Sequence, residues 1–312
     1  MILVCGEALI DFFSTGKGER ALAMEGHVGG SPFNVAVGAA RLGREVAFFG
    51  ALSDDFFGKR LRRALEEEGV SLSFAKRTGR PSPLSFVSVG EDGLVAYSFR
   101  NEGAADHDLL ETDLPDPGDA VSCVSVGSYT LGLDSAGETV TRLAERMGRE
   151  RVVSFDPNVR PGLIGDDAAW RARFERVIRA ASIVKISTED IGHAFGPGAD
   201  VEAIARGWLR QGPALVLVTD GPQPVRAFGA FGSVRFQGPA VTVVDTVGAG
   251  DSFHAALLSF IEAEGRMTRG ALETLDLAFI ERALAFACRA AAITCSRRGA
   301  DLPRSGDMAR PA

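Results

Sequence analysis

Residues 245–253, which read DTVGAGDSF, combine a glycine-rich turn with an acid directly after it. Glycines let backbone N–H groups approach an anion closely, and the start of a following helix adds unpaired N–H donors. Asp251 therefore follows a turn that attracts phosphate. An acid in this place suits a general base that takes the proton of a hydroxyl attacking phosphorus. The alternative is that Asp251 or Ser252 only caps the helix.

The elements around this turn are predicted from its flanks. The β-branched run 241–244 predicts a buried strand, and the helical spacing of Phe253, Leu257, Phe260 and Ile261 predicts a helix. The sequence contains no GxxxxGK[ST] motif, and the turn lacks the third glycine of GxGxxG. The turn thus differs from both common nucleotide-binding loops.

Strand and helix patterns alternate along most of the chain. Strands are predicted at residues 2–5, 45–49, 120–126, 151–155, 182–186 and 214–218, and helices at 31–42, 55–68, 138–149, 168–181, 200–211 and 276–294. This alternation predicts an α/β fold with a mainly parallel central sheet that helices cover on both faces, a Rossmann-type three-layer sandwich.

One region departs from the alternation. Residues 84–89 and 94–99 flank Glu91-Asp92-Gly93, a hairpin pattern, and residues 9–13 and 25–28 are extended without a neighbouring helix. These segments predict a small discontinuous β lid, from about residues 9–28 and 81–105, over the ends of the parallel strands. The alternative is an extension of the main sheet. An exposed lid edge could also pair with a second copy and form a homodimer.

Composition limits the function classes. The formal net charge is −7, and no Lys/Arg run resembles a nucleic-acid footprint, so nucleic acid and anionic membranes are not expected partners. The four cysteines have no metal-ligand or disulfide spacing. The N-terminus lacks the basic region of a signal peptide and no apolar run has membrane-spanning length, which predicts a cytoplasmic protein.

Three motifs together resemble the ribokinase-like (phosphofructokinase-B type) family of carbohydrate kinases. DTVGAGDSF resembles its C-terminal signature, GGSPFNVA at residues 29–36 its N-terminal signature, and GALSDDFFG at residues 50–58 an intervening motif in which Ser53 stands where glycine is usual. GEALID, FDPNVR and RNEGAAD are most similar to fructokinases, although 2-keto-3-deoxygluconate kinases share much of this pattern. The resemblance covers about residues 2–302 and implies one kinase domain over residues 1–312.

The resemblance implies the roles of the sugar site. Asp251 would be the base, and the backbone N–H groups of Gly248, Ala249 and Gly250 would stabilise the transferring phosphoryl group. Five residues would contact the sugar: Asp11, Gly30, Asn34, Phe99 and Arg100. Taken alone, Asp11 could be a solvated acid, Asn34 a helix cap and Arg100 a surface residue.

The nucleotide side is implied in the same way. Arg160 would bind a phosphate, or else form a salt bridge with Asp156. Six further residues would line the nucleotide site: Lys185, Ser187, Thr219, Gly221, Ala287 and Ala291. The two alanines could instead serve close helix packing.

The implied cofactors are ATP and Mg²⁺, and the family also suggests a K⁺ site. Ser187 and Asp190 occupy the first and last positions of the family's N-x-x-E motif, and Glu189 lies one residue out of register. Either acid could bind the water shell of Mg²⁺. The K⁺ site would use carbonyl groups near Asp245, Val247 and the loop 297–299.

These observations predict an ATP-dependent kinase that phosphorylates a terminal sugar hydroxyl, most simply converting D-fructose to fructose 6-phosphate. The first alternative is another acceptor: 2-keto-3-deoxygluconate, ribose or a nucleoside. The alternative from another class is a catalytically silent sugar-binding or assembly protein, against which the intact Gly248–Asp251 turn argues.

Overall fold

A computed structural model describes residues 1–17, 22–89, 95–116 and 118–309. Within these ranges the strands, in chain order, are β1 (Ile2–Cys5), β2 (Leu9–Lys17), β3 (Leu22–Gly29), β4 (Val46–Phe49), β5 (Ala51–Ser53), β6 (Lys76–Thr78), β7 (Leu84–Val89), β8 (Val95–Arg100), β9 (Cys123–Gly127), β10 (Val152–Asp156), β11 (Ile183–Ser187), β12 (Leu215–Asp220), β13 (Gln223–Gly229) and β14 (Gly232–Phe236).

The α-helices of the same ranges, in chain order, are α1 (Ser31–Arg41), α2 (Phe56–Glu67), α3 (Asp134–Met147), α4 (Asp167–Ala180), α5 (Thr188–Phe195), α6 (Val201–Leu209), α7 (Ala249–Ala263), α8 (Arg269–Leu272), α9 (Leu277–Cys295) and α10 (Ser305–Ala309). No helix of the described residues is both long enough and apolar enough to cross a membrane.

The main sheet of the described chain has eight strands in the order β14-β13-β12-β11-β10-β9-β1-β4. Neighbours from β12 to β4 are parallel, whereas β13 and β14 add an antiparallel edge. The prediction of a mainly parallel sheet is confirmed. Parallel strands place their carboxyl ends at one edge of the sheet, which is where α/β proteins bind ligands.

Helices cover both faces of this sheet. Ile2 and Val4 pack in a core that α1, α7 and α9 complete, while Leu3 and Cys5 pack against α3 and α4. Successive residues of a strand face opposite ways, so a strand buried on both sides must be apolar throughout. This explains why the strands read as continuous hydrophobic runs.

A second sheet has the order β3-β2-β7-β8 among the described residues. β2 pairs antiparallel with β3 and parallel with β7, and β7 pairs antiparallel with β8. The small separate sheet is confirmed, and the alternative of an extension of the main sheet is wrong. The hairpin turn predicted at Glu91-Asp92-Gly93, and Leu94 of the predicted strand, lie outside the described residues.

One predicted strand and one predicted helix boundary need correction. The run 241–244 forms no strand, and Val243 and Val244 are 58% and 62% exposed, so the predicted buried strand before the glycine turn is wrong. β14 already ends the sheet at this edge, and the run continues past it as a loop. The helix predicted at residues 138–149 is α3, which begins four residues earlier at Asp134.

Candidate active site

The glycine turn leads directly into α7. Gly248 precedes the helix with φ 76°, and a Cβ there would lie 2.7 Å from the Cβ of Ala300, so both its conformation and its surroundings require glycine. No side chain of the described residues caps α7. Of the N–H groups at its start, that of Ala249 donates to the Thr246 carbonyl at 3.2 Å, whereas those of Gly248, Gly250 and Asp251 have no acceptor among the described residues. α1 also lacks a side-chain cap, and its N-cap is Gly30 with φ 102°.

Asp251, in the first turn of α7, is held by the first turn of α1. Ser31 Oγ donates a hydrogen bond to Oδ1 at 2.6 Å, and Asn34 Nδ2 donates to Oδ2 at 2.8 Å. These bonds join the two glycine-containing motifs across about two-thirds of the chain. They orient the carboxylate through two neutral donors, and Asp251 also interacts electrostatically with Lys185.

Asp11 lies on β2 near this carboxylate. Ser85 on β7 donates a hydrogen bond to it. Burial raises the pKa of Asp11, and Asp251 adds to the rise, whereas Ser85, His27 and Arg160 act in the opposite direction. Asp11, Asp251 and Arg160 are therefore close enough to interact electrostatically, so the small sheet and the main sheet contribute to one site.

Phe99 and Arg100 behave differently although they are neighbours on β8. Phe99 pairs in register with Ser85, and its ring lies 5.9 Å from that of Tyr129, so it is near the partner of Asp11. Arg100 is exposed, and its guanidinium donates to Ser98 Oγ and to the carbonyl of Phe99. Alternation along the strand places the two side chains on opposite faces.

A buried ion pair lies beneath the turn. Lys185 Nζ lies 2.7 Å from Asp156 Oδ2, and a Cβ added to Gly250 would lie 3.2 Å from that Nζ. Burial raises the pKa of Asp156 to about 6 despite Lys185. Burial also opposes the charge on Lys185, but Asp156, Asp190 and Asp251 together outweigh it and raise the pKa of Lys185. Arg160 does not pair with Asp156: its Nη1 donates to the carbonyl of Val159.

Ser187 and Asp190 form a reciprocal cap on α5. Ser187 Oγ accepts from the Asp190 N–H, and Asp190 Oδ2 accepts in return from the Ser187 N–H. The other oxygen, Asp190 Oδ1, accepts from the Val159 N–H at 2.7 Å. Asp190 is buried and acts electrostatically on Asp156 and Lys185, whereas Glu189 is 81% exposed and lies beside His193. Of the two acids, Asp190 is therefore the one whose charge acts on the pair of Lys185 and Asp156.

Comparison with known proteins shows the family to which this arrangement of residues belongs. The model of the pfkB family of carbohydrate kinases matches residues 1–305. This chain is a member of that family. A fructokinase of Rhizobium leguminosarum is 38% identical over 278 residues, which cover 88% of this chain and 84% of the relative.

Solved structures of fructokinases resemble this carbohydrate kinase closely. The ATP-bound fructokinase of Xylella fastidiosa matches with a TM-score of 0.90 and 29% identity, covering 98% of this chain and 96% of that one. The fructokinase of Vibrio cholerae, with fructose, ADP and calcium, matches with a TM-score of 0.83 and 25% identity, covering 98% and 97%. The chain is therefore a fructokinase-like carbohydrate kinase.

The residues predicted to line the nucleotide site fall into two groups. Thr219 and Gly221 lie at and just after the end of β12, which pairs with β11, the strand of Lys185 and Ser187. On α9, Ala291 is partly exposed, but Ala287 has no exposed surface and packs in the core. Ala287 therefore cannot contact a nucleotide here, and the packing alternative holds for it.

The segment before the turn is hydrogen-bonded to the loop 297–299. Asp245 Oδ1 accepts from the Val247 N–H, and Oδ2 accepts from the Gly299 N–H at 2.9 Å. The family resemblance placed the loop 297–299 with Asp245 and Val247 in a K⁺ site. This loop lies next to Asp245, and the K⁺ site itself stays a prediction.

Three residues of this region were missed by sequence reasoning: Ser31, Ser85 and Glu7. Ser31 stands inside a recognised motif, yet its bond to Asp251 depends on a residue 220 positions away. Glu7 is fully buried and accepts from Ser128 Oγ at 2.6 Å and Thr130 Oγ1 at 2.5 Å. The signal that could have indicated Glu7 is its position as an acid within the largely apolar segment GEALID at residues 6–11.

Proposed function

We propose that this carbohydrate kinase transfers the γ-phosphoryl group of ATP to the terminal hydroxyl of D-fructose and forms fructose 6-phosphate. The observation that carries the proposal is the carboxylate of Asp251, held by Ser31 and Asn34 at the uncapped start of α7. A base and an anion-binding turn thus occupy the same helix end.

Asp251 accepts the proton of the sugar hydroxyl while that oxygen attacks the γ-phosphorus. The N–H groups of Gly248, Ala249 and Gly250 stabilise the charge on the phosphoryl oxygens as the bond to ADP breaks. Phosphoryl transfer needs little else from a protein, since positioning and neutralisation supply most of the catalysis.

Asp11, Gly30 and Asn34 bind the sugar. The carboxylate of Asp11 accepts hydrogen bonds from sugar hydroxyls. Neither the raised pKa of Asp11 nor its hydrogen bond from Ser85 prevents this. Gly30 lets the backbone approach the ring. Phe99 packs on the sugar from the small sheet, and Arg100 reaches it only by leaving Ser98.

Arg160 and Lys185 bind phosphate oxygens of ATP, because the charge of Arg160 acts near Asp11 and Lys185 lies beneath Gly250. Ser187, Thr219 and Gly221 line the nucleotide at the ends of β11 and β12, and Ala291 lies beside the adenine.

Among the described residues, no group of three Asp, Glu, His or Cys side chains could hold a metal ion. Mg²⁺ would therefore bind mainly through its waters and the phosphates of ATP, with Asp190, whose oxygens already accept from Val159 and Ser187, beside its water shell. Glu189, exposed beside His193, is the weaker candidate for the water shell. When bound, the ion neutralises negative charge that develops on the phosphates.

The proposal includes a K⁺ site beside the turn that precedes α7. The carbonyls of Asp245, Val247 and residues 297–298 would supply its oxygen ligands, whereas that of Gly299 already accepts from the Asp301 N–H. The bond from the Gly299 N–H to Asp245 keeps the two segments together. Bound K⁺ would hold the turn before α7 in place.

An ADP-release assay with fructose, ribose, 2-keto-3-deoxygluconate and adenosine tests the acceptor. We expect the highest kcat/KM for fructose, with ³¹P NMR identifying the 6-phosphate. Higher kcat/KM for another acceptor would replace fructose. Binding of ATP and sugar without turnover of any acceptor would favour a silent sugar-binding protein. A keto acid would need a cation in the sugar pocket, and Arg100 is engaged elsewhere.

A further inference from the structure

A row of four side chains crosses the small sheet at one level. Asp11 on β2 pairs in register with His27 on β3 and with Ser85 on β7, and Ser85 pairs in turn with Phe99 on β8. Residues that pair in register point to the same face of a sheet. Asp11 and Phe99 are the proposed sugar contacts of this sheet, so His27 faces the same side as they do.

The ring of His27 is accessible to a ligand. Its side chain is 44% exposed, and it makes no hydrogen bond to the residues that the structure describes. The ring of Phe13 lies 5.6 Å from that of His27 in an edge-to-face arrangement, and Glu25 Oε1 lies 3.4 Å from Nε2. Both neighbours project from the same face as His27, because each is two residues from a member of the row. They flank the ring and leave part of it open.

His27 and the carboxylate of Asp11 are close to each other. A Cβ on Gly29 would overlap with Asp11 Oδ2, so this carboxylate lies over β3, two residues from His27 and on the same face. The charge of His27 also acts on Asp11, where it opposes the rise in pKa that burial causes. A ligand that contacts the carboxylate of Asp11 therefore comes within reach of His27.

The row needs a hydrogen-bond donor if it is to bind a sugar. A sugar hydroxyl both donates and accepts, whereas the carboxylate of Asp11 only accepts and the ring of Phe99 is apolar. The hydroxyl proton of Ser85 is donated to Asp11. An imidazole carries at least one N–H in both of its protonation states, so His27 is the member of this row that can donate to a sugar oxygen.

We propose that His27 contacts the sugar acceptor and that its ring forms a hydrogen bond with one of the hydroxyl groups that do not react. This inference rests on the proposed function, because it takes the sugar to lie against Asp11. The small sheet then contacts the sugar from both of its outer strands, with His27 on β3 and Phe99 on β8.

Two variants separate this contact from packing. His27→Phe keeps an aromatic ring beside Phe13 and removes both ring nitrogens. We expect it to raise KM for fructose about 3–10-fold, the usual effect of losing one hydrogen bond, with KM for ATP and kcat unchanged. His27→Gln keeps an N–H donor and should recover part of this loss. An unchanged KM for fructose in His27→Phe would overturn the inference.

His193 on α5 offers a matched control. It is 39% exposed, and its Nε2 lies 3.6 Å from Glu189, so it resembles His27 in exposure and in its acidic neighbour but lies outside the row. His193→Phe makes the same chemical change and should leave KM for fructose unchanged. Equal increases in KM for the two Phe variants would show a general effect of losing an exposed histidine and would reject the contact.

Analogues of fructose that lack single hydroxyl groups test the contact itself. The series is 1-deoxy-, 3-deoxy- and 4-deoxyfructose together with 2,5-anhydromannitol, which lacks the 2-hydroxyl. For the analogue without the hydroxyl that His27 binds, wild type and His27→Phe should have equal KM, because removing both partners of one contact is not additive. The same KM ratio for all four analogues would mean that His27 touches none of these groups.

The acceptor and the role of His27 are tested separately. The variants are compared with the acceptor that has the highest kcat/KM in the wild type. If that acceptor is ribose, the proposal of fructose fails, and the ratio of KM for ribose between His27→Phe and wild type still tests the contact. If no acceptor is phosphorylated, calorimetric titration of fructose gives the corresponding ratio of Kd, and equal Kd in the two proteins would reject the role of His27.

Discussion

At the scale of single residues, the site depends on one carboxylate with partners from the far end of the chain. Asp251 is held through Ser31 and Asn34, which are 220 and 217 positions away. The residue type and its glycine neighbours indicate a base, and the two donors fix which way its oxygens face.

The first prediction concerns that base. Asp251→Asn should lower kcat by a factor on the order of 10²–10⁴, the usual contribution of a general base, with little change in Tm because the amide is isosteric. Steady-state ADP release and thermal unfolding measure the two effects. Ser31→Ala, which removes one of the two donors and keeps the base, is the matched control and should cost less. Near-normal turnover in Asp251→Asn would remove the assignment.

The second prediction concerns pH and Glu7. Burial chiefly, with Asp106 adding, raises the pKa of Glu7 from 4.5 to about 7, although Ser128 and Thr130 act against the rise. The folded protein then keeps a proton that the unfolded chain releases, so stability is lost as pH rises from 4.5 to about 7, by roughly 3 kcal/mol.

Glu7→Gln removes that proton and should remove this part of the loss. Thermal unfolding at about pH 5 and about pH 8 measures it: Tm should fall less in the variant than in the wild type across this interval. Parallel curves for the two proteins would contradict the raised pKa of Glu7.

At the scale of elements, the turn before α7 decides where the anion-binding N–H groups lie. The β-branched run 241–244 predicted a strand leading into this turn, but the structure has an exposed loop there. A β-branched run favours extended backbone, and it forms a strand only where a neighbouring edge is available. Here the turn is positioned by contacts with Ala300 and by the Gly299–Asp245 bond.

The third prediction tests this turn. In Gly248→Ala the new Cβ would meet both the Cβ and the Cα of Ala300, at 2.7 and 3.0 Å, in a left-handed backbone conformation. The loss of stability should exceed the roughly 1–2 kcal/mol of the backbone strain alone, and kcat should fall because the N–H groups move. Denaturant unfolding and steady-state kinetics measure both.

Gly265, with φ 67° and no atom near its Cβ position, provides the matched control at the other end of α7. Gly265→Ala should cost only the backbone strain and leave kcat unchanged. A Gly248→Ala protein with the stability and kcat of this control would show that the turn tolerates movement.

At the scale of the whole molecule, residues of two sheets lie close together. Asp11 on the small sheet interacts electrostatically with Asp251 on α7, and Phe99 lies near Ser85, the partner of Asp11. If these residues bind the sugar as proposed, the two sheets approach each other over it. The sequence predicted both sheets and the region of the site, because apolar periodicity and glycine turns are local signals.

The fourth prediction concerns assembly through the small sheet, whose outer strand β3 exposes Leu22 by 69%. Unpaired strand edges pair readily, so we expect light scattering to give the mass of a dimer. Leu22→Glu should shift the mass toward a monomer, whereas Leu277→Glu, an exposed leucine on α9, should not. A monomeric wild type would end this proposal.

The sequence by itself determined the chemistry of the turn, because the conformations of Gly248 to Asp251 and the free N–H groups of a helix start depend on adjacent residues. Only the tertiary structure decided that Ser31 donates to Asp251, that Asp190 rather than Glu189 is buried near Lys185, that Ala287 is buried in the core, and that Lys185 and His254 lie beside Asp156. These outcomes depend on the packing of elements that are far apart in the chain, and no local pattern of residue types specifies which side chains meet there.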